Sequence, residues 1–109
     1  MDCGQLYNVV EQINRIYALE IDLDCTAEIY GEHIIEAIAG NPEDFREKID
    51  WLLAQGFGDT VSDICNRFGI LLTYDNETFF SQFEKLMKKL GDDFALEISM
   101  DMSLLETLL

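Results

Sequence analysis

His33 is the only histidine in the chain, so most catalytic and metal sites would have to include it. A catalytic triad needs its base close to a serine or cysteine, and Cys25 precedes His33 by too much to share a helix face cleanly. His33 and Glu36, in HIIE, have the i, i+3 spacing of two helical metal ligands, and Glu28 and Glu32 are nearby in sequence. A di-metal helical bundle would repeat that motif with a second histidine. We therefore interpret His33 as a surface or boundary residue, and we predict no catalytic residue and no metal site.

Other motifs with chemical potential are incomplete. Asp22 and Asp24 resemble the start of a calcium loop, but Ala27 stands where that loop needs glycine, and His33 stands where it needs glutamate. The chain has no G-x-x-x-x-G-K phosphate loop, and its glycine pairs are typical of helix ends. These absences predict a non-enzymatic protein without a cofactor.

The three cysteines, Cys3, Cys25 and Cys65, are an odd number without C-x-x-C spacing. This pattern argues against a disulfide framework and indicates a reducing compartment. No run of residues approaches the roughly 20 apolar residues of a membrane span. A cytoplasmic location without a membrane partner is the resulting expectation.

Acidic residues dominate the composition, with 22 acids against 7 bases and a formal net charge of −15. Such a chain repels phosphate backbones, which disfavours direct nucleic-acid binding, and it attracts basic protein surfaces. Residues 1–40 contain eight acids and one base, and residues 92–109 contain five acids and no base. If the two ends of the chain pack together, their acids form one negative face. The candidate partner-binding residues are Glu20, Asp22, Asp24, Glu28, Glu32, Glu97 and Asp101.

Charge and size together predict a non-catalytic interaction module, a small acidic inhibitor that binds a basic surface of a partner protein. Nucleic-acid mimics, anti-defence proteins of the anti-CRISPR kind and immunity proteins act in this way, and a nucleic-acid-handling enzyme is the corresponding partner. The alternative is a helical adaptor or scaffold subunit that binds through an apolar patch, with acidity serving solubility only.

Apolar spacing predicts the elements that would position these acids: a single all-α domain, residues 1–109, built as a compact bundle of five or six short helices. A stripe beginning at Leu6 recurs every three or four residues, which is typical of an amphipathic helix. Further helices are expected from Asp24 or Thr26 to Gly40, from Pro42 to about Gln55, over residues 59–68, from Asp75 or Asn76 to Gly91, and from Asp92 or Asp93 to the C-terminus.

Two stretches remain ambiguous between helix and strand. ILLTY, residues 70–74, suits either a buried strand or an extended connector. YALEIDLDCT and FALEISMDMS share ALEI and alternate apolar with polar residues, as a half-buried strand does. Helix-forming residues favour a helix for the second copy and leave the first as a frayed helix end or a short strand. A minor two-stranded β element pairing 17–25 with 94–101 is therefore an alternative.

Residues 45–91 carry a series of helix ends: L-x-x-x-G-F, then R-F, then ILLTY, then K-K-L-G. In this series the stretch resembles one repeat of the mitochondrial transcription termination factors. The resemblance implies a helical fold for these residues, and no function is taken from it. The chain has Gly69 where that family typically has proline, and its acidity contrasts with the basic nucleic-acid surface of the family.

Overall fold

The computed structural model describes residues 3–109, and in that range it contains helices and no strand. The predicted all-α class is therefore confirmed. The α-helices are α1 (Cys3–Tyr17), α2 (Asp24–Tyr30), α3 (His33–Ala39), α4 (Pro42–Ala54), α5 (Thr60–Arg67), α6 (Asn76–Leu90) and α7 (Phe94–Met100). Two 3₁₀ helices are also present, η1 (Gly69–Thr73) and η2 (Met102–Leu108).

The described residues form more helices than the five or six expected. Two predicted helices are each divided into two, and the ambiguous ILLTY stretch lies mostly in a 3₁₀ helix. Gly31, with φ 97°, ends α2 and divides the helix expected up to Gly40. The ambiguous ILLTY run is neither a strand nor an extended connector but most of η1, in which Leu71 and Leu72 are buried. Asp101 separates α7 from η2 in the C-terminal segment.

Side-chain caps define the starts of α4 and α6, which begin where the sequence predicts these helices. The Asn41 side chain accepts a hydrogen bond from the Asp44 backbone N–H at 3.3 Å, and Pro42 occupies the first helical position. The Asp75 carboxylate accepts one from the Thr78 N–H at 3.2 Å. Hydrogen bonding to Thr78 lowers the pKa of Asp75, because it favours the ionised form.

The buried apolar side chains form one contiguous cluster. Helix α3 packs against α1, α2, α4 and η1, and α6 packs against α4, α7 and η2. Between α4 and α6, the Trp51 ring stacks on Phe80 with a centroid distance of 5.0 Å. Lys48, also buried there, donates from Nζ to Asn76 Oδ1 at 2.6 Å, and desolvation lowers its pKa.

The alternative of a β element over 17–25 and 94–101 is wrong. Residues 94–100 are helical, and residues 19–23 have no neighbouring strand in the part of the chain that the structure describes. In this first copy the predicted alternation is nevertheless present, with Leu19, Ile21 and Leu23 buried and the two acids between them exposed. The chain reaches this extended path through Ala18, whose left-handed φ of 54° follows the end of α1.

Side-chain amides supply the hydrogen bonds that a neighbouring strand would otherwise make. Asn14 Oδ1 accepts from the Ile21 N–H at 2.8 Å, and Asn14 Nδ2 donates to the Ile21 carbonyl at 2.9 Å. From α5, Asn66 Oδ1 accepts from the Asp22 N–H at 2.6 Å, and Asn66 Nδ2 donates to the Glu20 carbonyl at 2.9 Å. Ser62 Oγ accepts from the Glu20 N–H at 2.9 Å. Because these bonds satisfy the backbone, the segment lies extended between two helices without a sheet.

Helix α2 lies very close to η1 at one glycine. Thr26 is buried, and a Cβ placed on Gly69 would overlap Thr26 Oγ1. Any residue with a Cβ would meet the same obstacle there, so the packing of α2 favours glycine at position 69.

No helix in the described part of the chain combines the length and the apolar character that crossing a membrane requires.

Candidate partner-binding surface

Four of the seven predicted acids lie together beside α1. Asp24, Glu28 and Glu32 line a concavity of about 300 Å³ with Tyr7 and Ala27. Glu28 lies one helical turn after Asp24 on α2, so these two carboxylates share a face. The Tyr7 hydroxyl donates to Asp24 Oδ1 at 3.0 Å, which joins α1 to α2 across the concavity.

Asp22 belongs to an adjoining concavity of about 250 Å³ that shares Tyr7 and Asp24 with the first. Its Oδ1 accepts from the Asp24 N–H at 2.9 Å. Glu11, on α1, also lines this second concavity. We name the carboxylates of the two concavities the α1–α2 acidic surface; its members are Glu11, Asp22, Asp24, Glu28 and Glu32.

Glu11 and Tyr7 also belong to these concavities, although neither is among the acids and partners predicted from the sequence. Both are exposed on α1, one helical turn apart. Their i, i+4 spacing on the polar side of the predicted helix was the available signal. That spacing alone does not show that α2 lies opposite, so the two residues resemble ordinary surface positions.

Glu20 faces a different concavity, although it is close in sequence to Asp22. Its concavity, about 320 Å³, is lined by Ala18, Glu20, Asp59, Ser62 and Asp63. Alternation along the extended segment and the Ser62 and Asn66 hydrogen bonds set this placement. Asp59 and Asp63 join Glu20 there, and both were missed because they belong to residues 41–91, which contain nine acids and six bases.

Glu97 and Asp101 lie at the other end of the chain, on and directly after α7. That helix packs mainly on α6 and η2, and no extensive packing joins it to α1 or α2 in residues 3–109. The Asp101 carboxylate accepts hydrogen bonds from the backbone N–H and hydroxyl of Ser103, and so caps η2. The structure therefore distributes the seven acids over three places and brings together Asp22, Asp24, Glu28 and Glu32; a role of any of them in partner binding stays a prediction.

One basic side chain pairs with a member of the α1–α2 acidic surface, and several others lie at separate places. Arg15 pairs with Glu11 at 3.1 Å in an ion pair exposed to solvent, where such pairs contribute little to stability. Arg46 donates from Nε to the Tyr17 hydroxyl at 3.1 Å, and Lys48 is buried. Lys85 and Lys89 line a separate concavity beside Leu108. No lysine or arginine lines the concavities that hold Asp24, Glu28 and Glu32 or Glu20 within the described chain.

His33 is exposed at the start of α3. In residues 3–109, no group of three or more His, Cys, Asp or Glu side chains has a geometry that could hold a metal ion.

No family model, no curated protein and no solved structure matches the chain. The resemblance of residues 45–91 to a repeat of the mitochondrial transcription termination factors therefore stays one of sequence motifs alone.

Proposed function

We propose that this chain is a non-catalytic interaction module that binds a basic surface of a partner protein through the α1–α2 acidic surface. One observation carries the proposal: among the described residues, the carboxylates of Asp24, Glu28 and Glu32 converge with Tyr7 on one concavity that no cation lines. A negative concavity of this kind concentrates field lines and speeds association with a positive surface.

The side chains around the concavity suit lysine and arginine. Carboxylates accept charge-assisted hydrogen bonds from guanidinium groups, and a phenol ring offers a face on which a cation can lie. Tyr7 is 42% exposed and Ile29, on the neighbouring part of α2, is 74% exposed. Aromatic and apolar anchors inside a charged rim are the usual composition of a protein interface.

A nucleic-acid-handling protein is the partner class that this chemistry favours. Such proteins carry lysine and arginine clusters that neutralise phosphates. A surface of closely spaced carboxylates competes for the same clusters, so the module is expected to displace nucleic acid from its partner. This makes it an inhibitor by occupation and requires no catalytic group.

Affinity capture from the native host, followed by a salt titration of the captured complex, tests the proposal. The informative variant is Asp24→Asn/Glu28→Gln/Glu32→Gln, because the amide that replaces the Asp24 carboxylate keeps an oxygen to accept from Tyr7. Its matched control is Glu77→Gln/Glu84→Gln/Glu106→Gln, which changes the net charge equally at exposed positions elsewhere. We expect the first variant to bind roughly tenfold or more weakly, with the deficit shrinking at high salt, and the control to bind nearly as the parent does.

Equal losses in the two variants would contradict the assignment of the α1–α2 acidic surface, because overall charge alone would then explain binding. An affinity that is independent of ionic strength would contradict the charge-driven function itself.

A helical adaptor is the second candidate, and the exposed apolar pair Leu96 and Met100 on α7 favours it. An adaptor that binds through this pair alone would show no salt dependence and no response to the Asp24, Glu28 and Glu32 substitutions.

A further inference from the structure

Helix α7 presents two large apolar side chains to solvent on the side away from the core. Leu96 is 61% exposed and Met100 is 79% exposed, whereas Ile98 between them is fully buried. Residues four apart project from the same face of a helix, so Leu96 and Met100 are neighbours on the outer face. Single exposed apolar residues are ordinary on protein surfaces, but an adjacent pair on one short helix forms a patch.

Acidic side chains flank this apolar pair. Asp93, Glu97 and Asp101 follow one another at intervals of four residues, and all three are exposed. At about 100° per residue, Met100 lies between Leu96 and Glu97 around the helix axis, so these three side chains share the outer face of α7. Residues 92–109 contain no basic side chain, and Lys88 of α6 shares a concavity with Asp92 and Phe94 at the start of α7.

The charge of this outer face discriminates between its possible occupants. A second copy of the chain would form a two-fold interface in which the same acids meet one another, and like charges would oppose it. A neutral apolar segment would leave the acids without partners. A segment with an apolar stripe beside lysines and arginines matches both parts of the face.

We propose that the outer face of α7 docks a cationic amphipathic helix of the partner protein. One apolar side chain of that helix packs between Leu96 and Met100, and its cations lie against Asp93, Glu97 and Asp101. Methionine suits this role because its thioether adapts to differently shaped side chains. The inference rests on the proposed function for the basic character of the partner, and it adds a second docking surface with a defined partner segment.

Calorimetric titration with synthetic peptides tests this proposal on the full chain. The probe is a leucine–lysine peptide of about 18 residues, patterned to place its leucines on one helix face. A peptide of the same composition with dispersed leucines, and a leucine–glutamate peptide with the original pattern, serve as controls. We expect binding of the patterned cationic peptide to exceed that of either control by roughly tenfold.

Two variants with matched controls locate the site. Leu96→Ser/Met100→Ser is compared with Ile16→Ser, an exposed apolar position on α1, and Asp93→Asn/Glu97→Gln is compared with Glu43→Gln/Glu77→Gln, two acids at the starts of other helices. We expect the apolar variant to weaken binding roughly tenfold and the acidic variant several-fold, with each control within about twofold of the parent. All substituted side chains are exposed, and circular dichroism checks that each variant is folded.

The outcomes separate this proposal from the proposed function. Unchanged binding by Leu96→Ser/Met100→Ser, together with loss in Asp24→Asn/Glu28→Gln/Glu32→Gln, overturns the α7 site and leaves the α1–α2 acidic surface supported. Equal binding of the leucine–glutamate peptide overturns the cationic occupant. Absence of binding by any peptide overturns the α7 proposal, whereas the salt titration of the captured complex judges the proposed function separately.

Discussion

Residues 18–21 and residues 95–98 have the same sequence, ALEI, but adopt different backbone conformations. The first copy runs extended between α1 and α5 and buries both Leu19 and Ile21. The second copy is helical in α7 and buries Ile98 while leaving Leu96 in solvent. The same four residues therefore bury two large apolar side chains in the first copy and one in the second.

Hydrogen-bond partners outside the four residues account for this difference. Asn14, Asn66 and Ser62 bond to backbone groups of the first copy, which frees it from the need to form a helix. In α7 the backbone bonds within the helix, and Ser99 instead contacts Thr60 of α5 through its hydroxyl at 2.9 Å. Tertiary context thus overrides a local preference that favours helix in both copies.

Replacing the same leucine in each copy gives the largest expected contrast. Leu19→Ala removes a buried side chain and leaves a cavity, which should lower the free energy of unfolding by about 3 kcal/mol. Leu96→Ala removes an exposed side chain from a helix that tolerates alanine well, so its effect should stay within about 0.5 kcal/mol. Urea unfolding followed by the fluorescence of Trp51, the only tryptophan, measures both. Similar losses in the two variants would mean that burial does not distinguish the copies.

Sequence patterns predicted the fold where the signals are local. Asn41, Pro42 and Asp75 mark helix starts through bonds to residues within the next turn, and the structure has α4 and α6 beginning there. The hydrogen bonds that hold the extended segment could not be predicted, because Ser62 and Asn66 lie on α5, which is distant in sequence. An asparagine in a helical pattern is typical of a solvent-facing position, and nothing local marks Asn14 or Asn66 as a backbone partner.

The predicted acidic residues show the same difference between local and tertiary signals. Asp24, Glu28 and Glu32 could be grouped from sequence because they fall within one short stretch, and they line one concavity. Placing Glu97 and Asp101 with them required the two ends of the chain to pack together, which depends on tertiary contacts that composition does not encode. Glu20 lies apart because alternation along an extended backbone points adjacent residues in opposite directions.

Gly69→Ala tests the close contact between η1 and α2, the helix that directly follows the extended segment. The added methyl group would overlap Thr26 Oγ1, so α2 must shift, and we expect a loss of about 2 kcal/mol in unfolding free energy. In a Thr26→Ala background the nearest atom is absent, and the same substitution should cost less. A double-mutant cycle by thermal or urea unfolding measures the coupling. Equal costs in both backgrounds would place the strain elsewhere than at the α2–η1 contact.

Asn14→Ala removes both hydrogen bonds to Ile21 from the α1 side. Two partly buried backbone groups then lose their partners, while alanine improves helix propensity, and the net loss in unfolding free energy should be about 1.5 kcal/mol. Asn8→Ala, an exposed asparagine in the same helix, reports the propensity gain alone and should be neutral or slightly stabilising. If both variants had equal stability, the extended conformation of the first copy would not depend on Asn14.

Asn66→Ala should have the smallest effect on stability, because the groups that it releases on Glu20 and Asp22 can reach water. We expect a loss of about 1 kcal/mol in unfolding free energy, and the thiol of the neighbouring Cys65 offers a more local measurement.

Cys65 is fully buried, and burial raises its pKa to about 12, so it can be alkylated near pH ~8 only when α5 opens. Alkylation at Cys65, followed by peptide mapping, should accelerate about fivefold in Asn66→Ala, whereas the exposed Cys25 should react at its parent rate. Asn66→Ala could instead lower the global stability without accelerating alkylation at Cys65. In that case the opening that exposes this thiol would not separate α5 from the extended segment. The hydrogen bonds between α5 and the extended segment would then position the first ALEI copy without controlling how often it separates from α5.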